Sequence, residues 1–240
     1  MKLKQTMITA HSGCDGTPEN SLDFVRYALS IGIDSFEVDV NIGNNGILYI
    51  NHEQDPTGVY KGCTTLEEVM KLMLSSEFVK INCDLKSYNI ENDVLKMAKY
   101  FKIIDRLIFS GSINLNFVRE NRSLFETADI FLNVEKILRE QIKLNSINNN
   151  QVEIIIFSKE IINTCRELNV NIVNINEKLC TDLFLEKMKM NGIGVSVWTV
   201  DDPDRIMFFL KKEIENITTR NAVLAMKLKQ GLINNGNKLC

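Results

Sequence analysis

The chain has 240 residues, of which 45 % are hydrophobic and 25 % are charged, a balance typical of a globular protein able to bury a full core. Its 28 basic and 31 acidic residues give a net charge of −3 with no basic tract, which argues against nucleic acid as a partner. No apolar run approaches the ~18 residues of a membrane span. The stretch Met1–Gln5 is too short and polar for a secretion signal, so we expect a cytoplasmic protein.

Short apolar runs alternate with amphipathic runs along the chain. The apolar runs predict strands at about 7–11, 35–40, 79–86, 106–111, 128–134, 171–176, 194–200 and 216–219. Helical spacing of apolar residues follows at 20–29, 65–73, 181–190 and 203–212, where Pro203 suits a first helical turn. Strands that alternate with helices predict a parallel sheet with right-handed crossovers. At this length we expect an α/β fold, a closed (β/α)8 TIM barrel, as one domain over residues 1–240.

Two segments depart from a simple strand–helix repeat. After the second strand, the residues Gly43-Asn44-Asn45-Gly46 predict a hairpin turn that leads into an extended piece at 47–52. The barrel is therefore expected to carry a small hairpin insertion after strand two. Residues 135–168 exceed what one helix needs, and we interpret them as a helix-loop-helix, with a further strand at 153–157 as the alternative.

The six cysteines are scattered and form no Cys-x-x-Cys pair, which argues against a zinc ribbon or a redox dithiol. In a cytoplasmic chain they are expected to be reduced thiols. These cysteines are Cys14, Cys63, Cys83, Cys165, Cys180 and Cys240.

Polar residues follow the predicted strands at their carboxyl ends, which in a barrel of this kind meet at one rim. His11 ends the first strand, and the hairpin ends at His52. Glu37 and Asp39 lie two residues apart in the second strand, so they point to the same face. The same spacing recurs in Asp84 and Lys86 at the end of the next strand, and Trp198 lies in the seventh.

This set of residue types indicates metal-assisted phosphoryl chemistry. Three carboxylates at one rim would repel one another unless a divalent cation bound them, and ligands that are all oxygen favour Mg²⁺ or Ca²⁺. Two histidines suit general acid and general base roles near neutral pH, and a lysine can contact a phosphate oxygen. Taken singly, each residue has a simpler interpretation as a surface or capping group. Their joint occurrence at successive strand ends favours a site.

The order of these motifs resembles the glycerophosphodiester phosphodiesterase family. The stretches that carry the resemblance are His11-Ser12-Gly13, Pro18-Glu19-Asn20, Glu37-Val38-Asp39, His52-Glu53, Thr65-Leu66-Glu67-Glu68, Asp84-Leu85-Lys86 and Val197-Trp198-Thr199-Val200. The resemblance runs over about residues 7–226 and implies a (β/α)8 barrel. It implies hydrolysis of a small-molecule glycerophosphodiester to sn-glycerol 3-phosphate and an alcohol.

The resemblance also implies a role for each matching residue. His11 and His52 would be the acid–base pair, and Glu37, Asp39 and Asp84 would hold Mg²⁺ or Ca²⁺. Contact with the phosphate or with the rest of the substrate would fall to Lys86, Ser12 and Trp198. Glu19 would support the site.

Three positions depart from the family pattern. Ser12 stands where the family usually has arginine, Asp84 where it has glutamate, and Glu53 where it has aspartate. Loss of the arginine removes a charged bidentate phosphate contact, since serine offers one donor. Two alternatives therefore stay open: a catalytically degenerate barrel that binds a phosphodiester or a partner, and a lyase on the same fold that stops at a cyclic phosphate.

Overall fold

Nine strands form one sheet in the computed structural model, which describes residues 5–137 and 151–236. The strands are β1 (Met7–Ala10), β2 (Ser35–Ile42), β3 (Leu48–Ile50), β4 (Lys80–Leu85), β5 (Leu107–Gly111), β6 (Asp129–Asn133), β7 (Ile172–Asn176), β8 (Gly194–Trp198) and β9 (Asn216–Thr219). All eight predicted strands are present, each within two residues of its expected bounds at either end.

The sheet closes into a barrel because β1 pairs with β9 on one side and with β2 on the other. Going around from β1, the ring order is β9, β8, β7, β6, β5, β4 and β2, with every pairing parallel. The ninth strand, β3, lies outside this ring and pairs antiparallel with β2. The structure is thus a (β/α)8 barrel with the predicted hairpin insertion after the second strand.

Helices connect the strands on the outside of the ring. They are α1 (Leu22–Ser30), α2 (Leu66–Met73), α3 (Glu91–Tyr100), α4 (Leu115–Glu120), α5 (Val134–Ile137), α6 (Gln151–Leu168), α7 (Asp182–Met190), α8 (Pro203–Lys211) and α9 (Ala222–Gly236). Within the described ranges, none of them is both long enough and apolar enough to cross a membrane.

Local sequence explains where several helices begin. Ser21 caps α1 by accepting a hydrogen bond from the Phe24 amide. Thr65 and Glu68 form a capping box at the start of α2, in which each side chain accepts from the other residue's backbone N–H. These contacts satisfy amide groups that have no partner inside the helix.

The structure tests part of the helix-loop-helix that we expect over residues 135–168. α5 and α6 are helices, and the alternative of a strand at 153–157 is wrong because these residues lie inside α6. A helical assignment fits the length of the apolar stretch, which continues in amphipathic form to Leu168. Residues 138–150, including most of the expected loop, lie outside the described residues.

The barrel interior is apolar at one end and polar at the other. Met7, Ile108, Phe131 and Ile172 form a small apolar cluster of their own, separate from the large core between strands and helices. Two residues further along β5, β6 and β7, on the same face, lie Ser110, Asn133 and Asn174. The apolar cluster closes the amino end of the barrel, so a polar site can form only at the carboxyl end.

Candidate active site

Three carboxylates meet at the carboxyl end of the barrel. Glu37 and Asp39 project from β2 to the same side, and Asp84 on β4 is the register partner of Asp39 on the neighbouring strand. One oxygen from each of the three side chains lies within 4.8 Å of the other two. Glu37 and Asp39 are 5 % and 3 % exposed, so their charges have little contact with water.

Room for Asp84 depends on Gly111 at the end of β5. The glycine has a φ of +79°, and a Cβ built there would lie 2.0 Å from Oδ1 of Asp84 and 2.6 Å from the Leu85 carbonyl oxygen. Any larger residue would displace the carboxylate and strain the backbone. The same Oδ1 of Asp84 accepts a hydrogen bond from the Ser110 hydroxyl at 3.3 Å.

Lys86 balances part of the negative charge. Its Nζ lies 2.6 Å from Oδ2 of Asp84 and 2.9 Å from Oδ1 of Asp39. Burial by itself would lower the pKa of Lys86, but the two carboxylates outweigh burial, so this pKa is raised and the ammonium is kept charged. Burial likewise acts to raise the pKa of Asp39, yet Lys86 and a hydrogen bond from Asn20 outweigh it and the pKa is lowered.

Glu37 is the carboxylate that Lys86 does not reach directly. Burial raises the pKa of Glu37 well above its usual range, and the negative charges of Asp39 and Asp84 raise it further. The Ser12 amide, which donates to Oε2 of Glu37 at 3.2 Å, offsets only part of this. The trio therefore concentrates more negative charge than the surrounding donors neutralise, which is the condition that favours a bound cation.

Each of the two histidines lies close to a different carboxylate of the trio. His11 follows β1, and its Nδ1 is 2.9 Å from the Ser12 carbonyl oxygen and 3.9 Å from Oε2 of Glu37. His52 follows β3, and its Nδ1 is 3.3 Å from Oδ2 of Asp39. Their environments differ, because the His11 side chain is 19 % exposed and the His52 side chain is 60 % exposed.

The tautomer of His11 follows from its neighbour. A carbonyl oxygen can only accept, so Nδ1 of His11 carries the hydrogen and Nε2 of the neutral ring has a free lone pair. Burial is the largest cause that lowers the pKa of His11, and the positive charge of Arg220 lowers it as well. A neutral ring with a free Nε2 has the form of a general base.

All six of these side chains line one cavity of about 550 Å³. The rest of its wall comes from strand residues and from residues that directly follow the strands, among them Asn82, Ser110, Asn133, Asn174, Trp198 and Arg220. Seven of the eight ring strands contribute residues of their own to this lining, and His11 directly follows the eighth, β1. The cavity is therefore the mouth of the barrel.

Comparisons with known proteins agree with this geometry. No family model matches the chain. A curated glycerophosphodiester phosphodiesterase from Bacillus altitudinis is 28 % identical in a match that covers 44 % of this chain and 58 % of that protein. The match thus spans less than two thirds of the relative's length.

Solved structures match over almost the whole chain. A glycerophosphodiester phosphodiesterase from Parabacteroides distasonis has a TM-score of 0.74 and 18 % identity, covering 96 % of this chain and 99 % of its own. One from Thermotoga maritima has a TM-score of 0.69 and 20 % identity, covering 93 % and 98 %. A phosphodiesterase from Oleispira antarctica, solved with the product sn-glycerol 3-phosphate, has a TM-score of 0.64 and 15 % identity, covering 93 % and 96 %.

The chain resembles the glycerophosphodiester phosphodiesterases in sequence and has their fold. The resemblance inferred from the motifs is therefore confirmed, and the motif residues can be located in the structure. His11, His52, Glu37, Asp39, Asp84, Lys86 and Trp198 all line the mouth of the barrel.

Two motif residues lie elsewhere. Ser12 is 1 % exposed and does not line the cavity; its hydroxyl accepts a hydrogen bond from the Asn20 amide at 2.6 Å. Glu19 is exposed and packs beside Gly13, away from the carboxylate trio. Their roles in phosphate contact and in support of the site stay predictions.

Asn20 is a residue that sequence reasoning did not single out. Its Nδ2 donates to Oδ2 of Asp39 at 2.8 Å, and its Oδ1 accepts from the Asp39 amide at 3.0 Å. Asn20 belongs to the Pro18-Glu19-Asn20 motif, so its position in that motif could have marked it as a site residue. An asparagine at this point otherwise indicates only the start of a helix. The structure shows that this asparagine holds a carboxylate of the trio.

A buried polar network below the cavity was also missed. Asn174 donates to Asn133 at 3.1 Å and accepts from Ser196 at 2.8 Å, while Asn216 donates to Ser196 at 2.9 Å and accepts from Thr9 at 2.7 Å. Asn133 and Asn174 occupy strand ends or positions near them, so the rule that found the carboxylates could have found these two. The network gives the cavity a rigid polar floor.

Proposed function

We propose that this protein is a metal-dependent phosphoric diester hydrolase that converts glycerophosphodiesters to sn-glycerol 3-phosphate and an alcohol. The observation that carries the proposal is that the carboxylate trio, both histidines and Lys86 surround one cavity at the mouth of the barrel. The sequence relative and the structural neighbours named above support the substrate class. The neighbour from Oleispira antarctica, solved with sn-glycerol 3-phosphate, supports the product.

Glu37, Asp39 and Asp84 would hold the metal ion. The fit rests on the donor set, since three carboxylates come within 4.8 Å of one another and the charges of the other two raise the pKa of Glu37. Oxygen ligands of this kind suit Mg²⁺ or Ca²⁺. When bound, a divalent cation supplies Lewis-acid stabilisation of the phosphoryl oxygens.

His11 would act as the general base. Its Nδ1–H is fixed by the Ser12 carbonyl, so Nε2 is free to take a proton from the attacking hydroxyl. Because burial lowers the pKa of His11, the ring is neutral at pH 7 and ready to accept that proton. The attacking oxygen, from water or from the 2-hydroxyl of the glycerol, then forms the new bond to phosphorus.

His52 would act as the general acid. Its side chain is 60 % exposed and so is open to water, and its Nδ1 lies 3.3 Å from Oδ2 of Asp39. When the bond between phosphorus and the leaving oxygen breaks, His52 gives its proton to that oxygen and the alcohol departs neutral. When water attacks, this single displacement gives sn-glycerol 3-phosphate, and proton exchange with solvent returns both histidines to their starting states. When the 2-hydroxyl attacks, it gives a cyclic phosphate, which water must then open to sn-glycerol 3-phosphate, with His52 taking the proton of the water and His11 returning its proton to the 2-oxygen.

The remaining residues would bind and orient the substrate. Lys86 contacts a phosphate oxygen through its ammonium, and Trp198 forms part of the cavity wall. Ser12 is proposed as a phosphate contact and Glu19 as a supporting residue at the rim. The single barrel domain over residues 1–240 and the cytoplasmic location also belong to the proposal, and fractionation of cells would test the location.

The test is release of sn-glycerol 3-phosphate from a panel of glycerophosphodiesters. The assay is run with Mg²⁺, with Ca²⁺ and with a chelator, on the unaltered protein and on His11→Ala and His52→Ala. Asn116→Ala, an exposed residue of α4 that does not line the cavity, serves as the control. Metal-dependent release that both histidine substitutions abolish, and that Asn116→Ala retains, supports the hydrolase.

Two results would contradict the proposal. Accumulation of a cyclic glycerol phosphate, seen by phosphorus NMR, would show a lyase that stops after attack by the 2-hydroxyl. Absence of any product from a folded protein, together with binding of a phosphodiester, would show a barrel that binds without turnover.

A further inference from the structure

Positive charge available to a phosphate is scarce at the mouth of the barrel. Lys86 is held by two carboxylates at 2.6 and 2.9 Å, so its charge is compensated and only one of its three N–H donors is left for a phosphate oxygen. Among the described residues that line the cavity, the other permanently charged cations are Lys136 and Arg220. A phosphodiester brings at least one negative charge into a cavity that already contains three carboxylates.

Position 12 does not supply the missing charge. The Ser12 hydroxyl points to the Asn20 amide, 2.6 Å away, and the Ser12 amide donates to Glu37. Ser12 is 1 % exposed and lies outside the cavity lining. Any phosphate contact that depends on a guanidinium must therefore come from another element of the barrel.

We propose that Arg220 binds the phosphate group of the substrate and supplies the guanidinium that is absent at position 12. The inference rests on the proposed function, because it assigns a phosphate ligand within the same site. Arg220 directly follows β9, which neighbours β1 in the ring, so it reaches the cavity from the strand adjacent to His11.

The backbone of Arg220 is held on both sides. Its N–H donates to Oδ1 of Asp201 at 2.7 Å, and its carbonyl oxygen accepts from the Asp15 amide at 2.8 Å. The side chain is less constrained, since Nη1 is 4.0 Å from Oδ2 of Asp201 and the side chain is 44 % exposed. Within the described parts of the chain, no carboxylate comes within hydrogen-bonding distance of this guanidinium, and its donors match the geometry of two phosphate oxygens.

Arg220 also lies near the proposed base. The His11 amide donates to the carbonyl oxygen of Thr219, the residue before Arg220, at 2.9 Å. Both His11 and Arg220 line the same cavity. A phosphate bound by Arg220 would consequently be held on the side of the mouth where His11 lies and where the attacking hydroxyl must be deprotonated.

Lys136 is the rival cation, and its position favours Arg220. Lys136 follows β6, which lies four strands from β1 in either direction around the ring of eight. It therefore approaches from the side of the mouth opposite His11. A phosphate held there would be away from both β1 and the Ser12–Asn20 segment.

The test measures binding of inorganic phosphate and of sn-glycerol 3-phosphate by isothermal titration calorimetry, in parallel with the hydrolysis assay. The variants are Arg220→Met, Arg220→Lys, Lys136→Met and Arg26→Met, the last an exposed arginine of α1 that controls for loss of one positive charge. Arg220→Met should weaken binding by about 10- to 100-fold, the effect of losing a charge-assisted hydrogen-bonding group. Arg220→Lys should retain part of the affinity, and Arg26→Met should match the unaltered protein.

Chemical rescue separates phosphate binding from a structural role. Ethylguanidinium should restore phosphate affinity to Arg220→Ala, and ethylammonium should restore less, since only the former has the planar pair of donors.

Unchanged phosphate binding in Arg220→Met, or a larger loss in Lys136→Met, would overturn the inference. Hydrolysis by the unaltered protein would still uphold the proposed function in either case. Phosphate binding that depends on Arg220 in a protein without turnover would support the inference and contradict the hydrolase. Absence of phosphate binding in the unaltered protein would overturn the inference.

Discussion

Asn20 and Asp39 are joined by two hydrogen bonds, one from the Asn20 side-chain amide to the carboxylate at 2.8 Å and one from the Asp39 amide to Oδ1 of Asn20 at 3.0 Å. This pairing fixes the orientation of a carboxylate that also contacts Lys86 and His52. A residue placed in this way orients a metal ligand without touching the metal itself.

Removal of the Asn20 side chain should therefore weaken the metal site. Asn20 has a φ of +45°, which glycine adopts without strain. Asn20→Gly therefore removes the side-chain amide and keeps the backbone conformation. We expect affinity for Mg²⁺ or Ca²⁺ to fall by about 10-fold or more. Calorimetric titration of the metal measures this. Asn89→Gly, another asparagine with positive φ that does not line the cavity, is the matched control, and equal affinity in the two variants would contradict the prediction.

Glu37→Gln should remove a pH dependence of stability from the metal-free protein. The pKa of Glu37 is raised in the folded state, mainly by burial and then by Asp39 and Asp84. Between the ordinary glutamate pKa of about 4.3 and the raised value, the folded state holds a proton that the unfolded chain has lost. The bound proton therefore stabilises the folded protein at the acid end of this pH window. That stabilisation is lost as pH rises through the raised pKa of Glu37.

Glutamine has the shape of the protonated side chain, so Glu37→Gln should melt higher than the unaltered protein at pH 8 in chelator. A gain of about 1 kcal/mol corresponds to roughly 2–4 °C at this chain length. Added Mg²⁺ or Ca²⁺ should raise the Tm of the unaltered protein and leave that of Glu37→Gln where it was. Glu186→Gln, at an exposed position of α7 that does not line the cavity, is the control. Parallel Tm curves for Glu37→Gln and the unaltered protein from pH 5 to 8 would be evidence against a raised pKa.

Asn216→Ala should destabilise the floor of the cavity. Asn216 is fully buried on β9, and its loss would leave the Thr9 hydroxyl without its acceptor and Ser196 without a donor. A buried polar group that loses its partner costs about 1–3 kcal/mol of unfolding free energy. Urea unfolding measures it against Asn116→Ala, an exposed change expected to lie within about ±0.5 kcal/mol. A loss no larger than that of the control would show that the network adds nothing to stability.

The two cysteines near the site should be inert in the folded protein. Burial, with Asp15 nearby, raises the pKa of Cys14 to about 12, and burial also raises the pKa of Cys83; both side chains are fully buried. The thiolate is the reactive form, so labelling by Ellman's reagent at pH 8 should require unfolding. Among the cysteines that the structure describes, the half-buried Cys63 should label first. Peptide mapping after partial labelling tests the order, and early reaction of Cys14 would contradict it.

Much of the barrel could be predicted because the strands are buried on both faces. Such strands appear in the sequence as short apolar runs, and β5, written Leu-Ile-Phe-Ser-Gly, is an example. Polar side chains at the ends of those runs must meet at one rim, since parallel strands in a closed barrel all end on the same side. The order of residues along the chain is therefore enough to place His11, Glu37, Asp39 and Asp84 at that rim.

Contacts between distant segments could not be predicted in the same way. Asn20 precedes α1 and Arg220 follows β9, and neither lies within an apolar run that would mark a site position. Their roles depend on distances across the barrel mouth, which exist only once the ring has closed. The same applies to Ser12, whose place in a motif indicated a phosphate contact and whose side chain the fold directs to Asn20.

The sequence by itself determined the order of strands and helices, the hairpin after the second strand and the residue types at the strand ends, because burial and chain direction act locally. The tertiary structure decided which of those polar groups face one another, which are buried and which cations line the same cavity as His11. Side-chain orientation and electrostatic coupling depend on neighbours that are distant in the chain, as the hydrogen bond from Thr9 to Asn216 illustrates with a separation of 207 residues. Local sequence patterns carry no record of such distances.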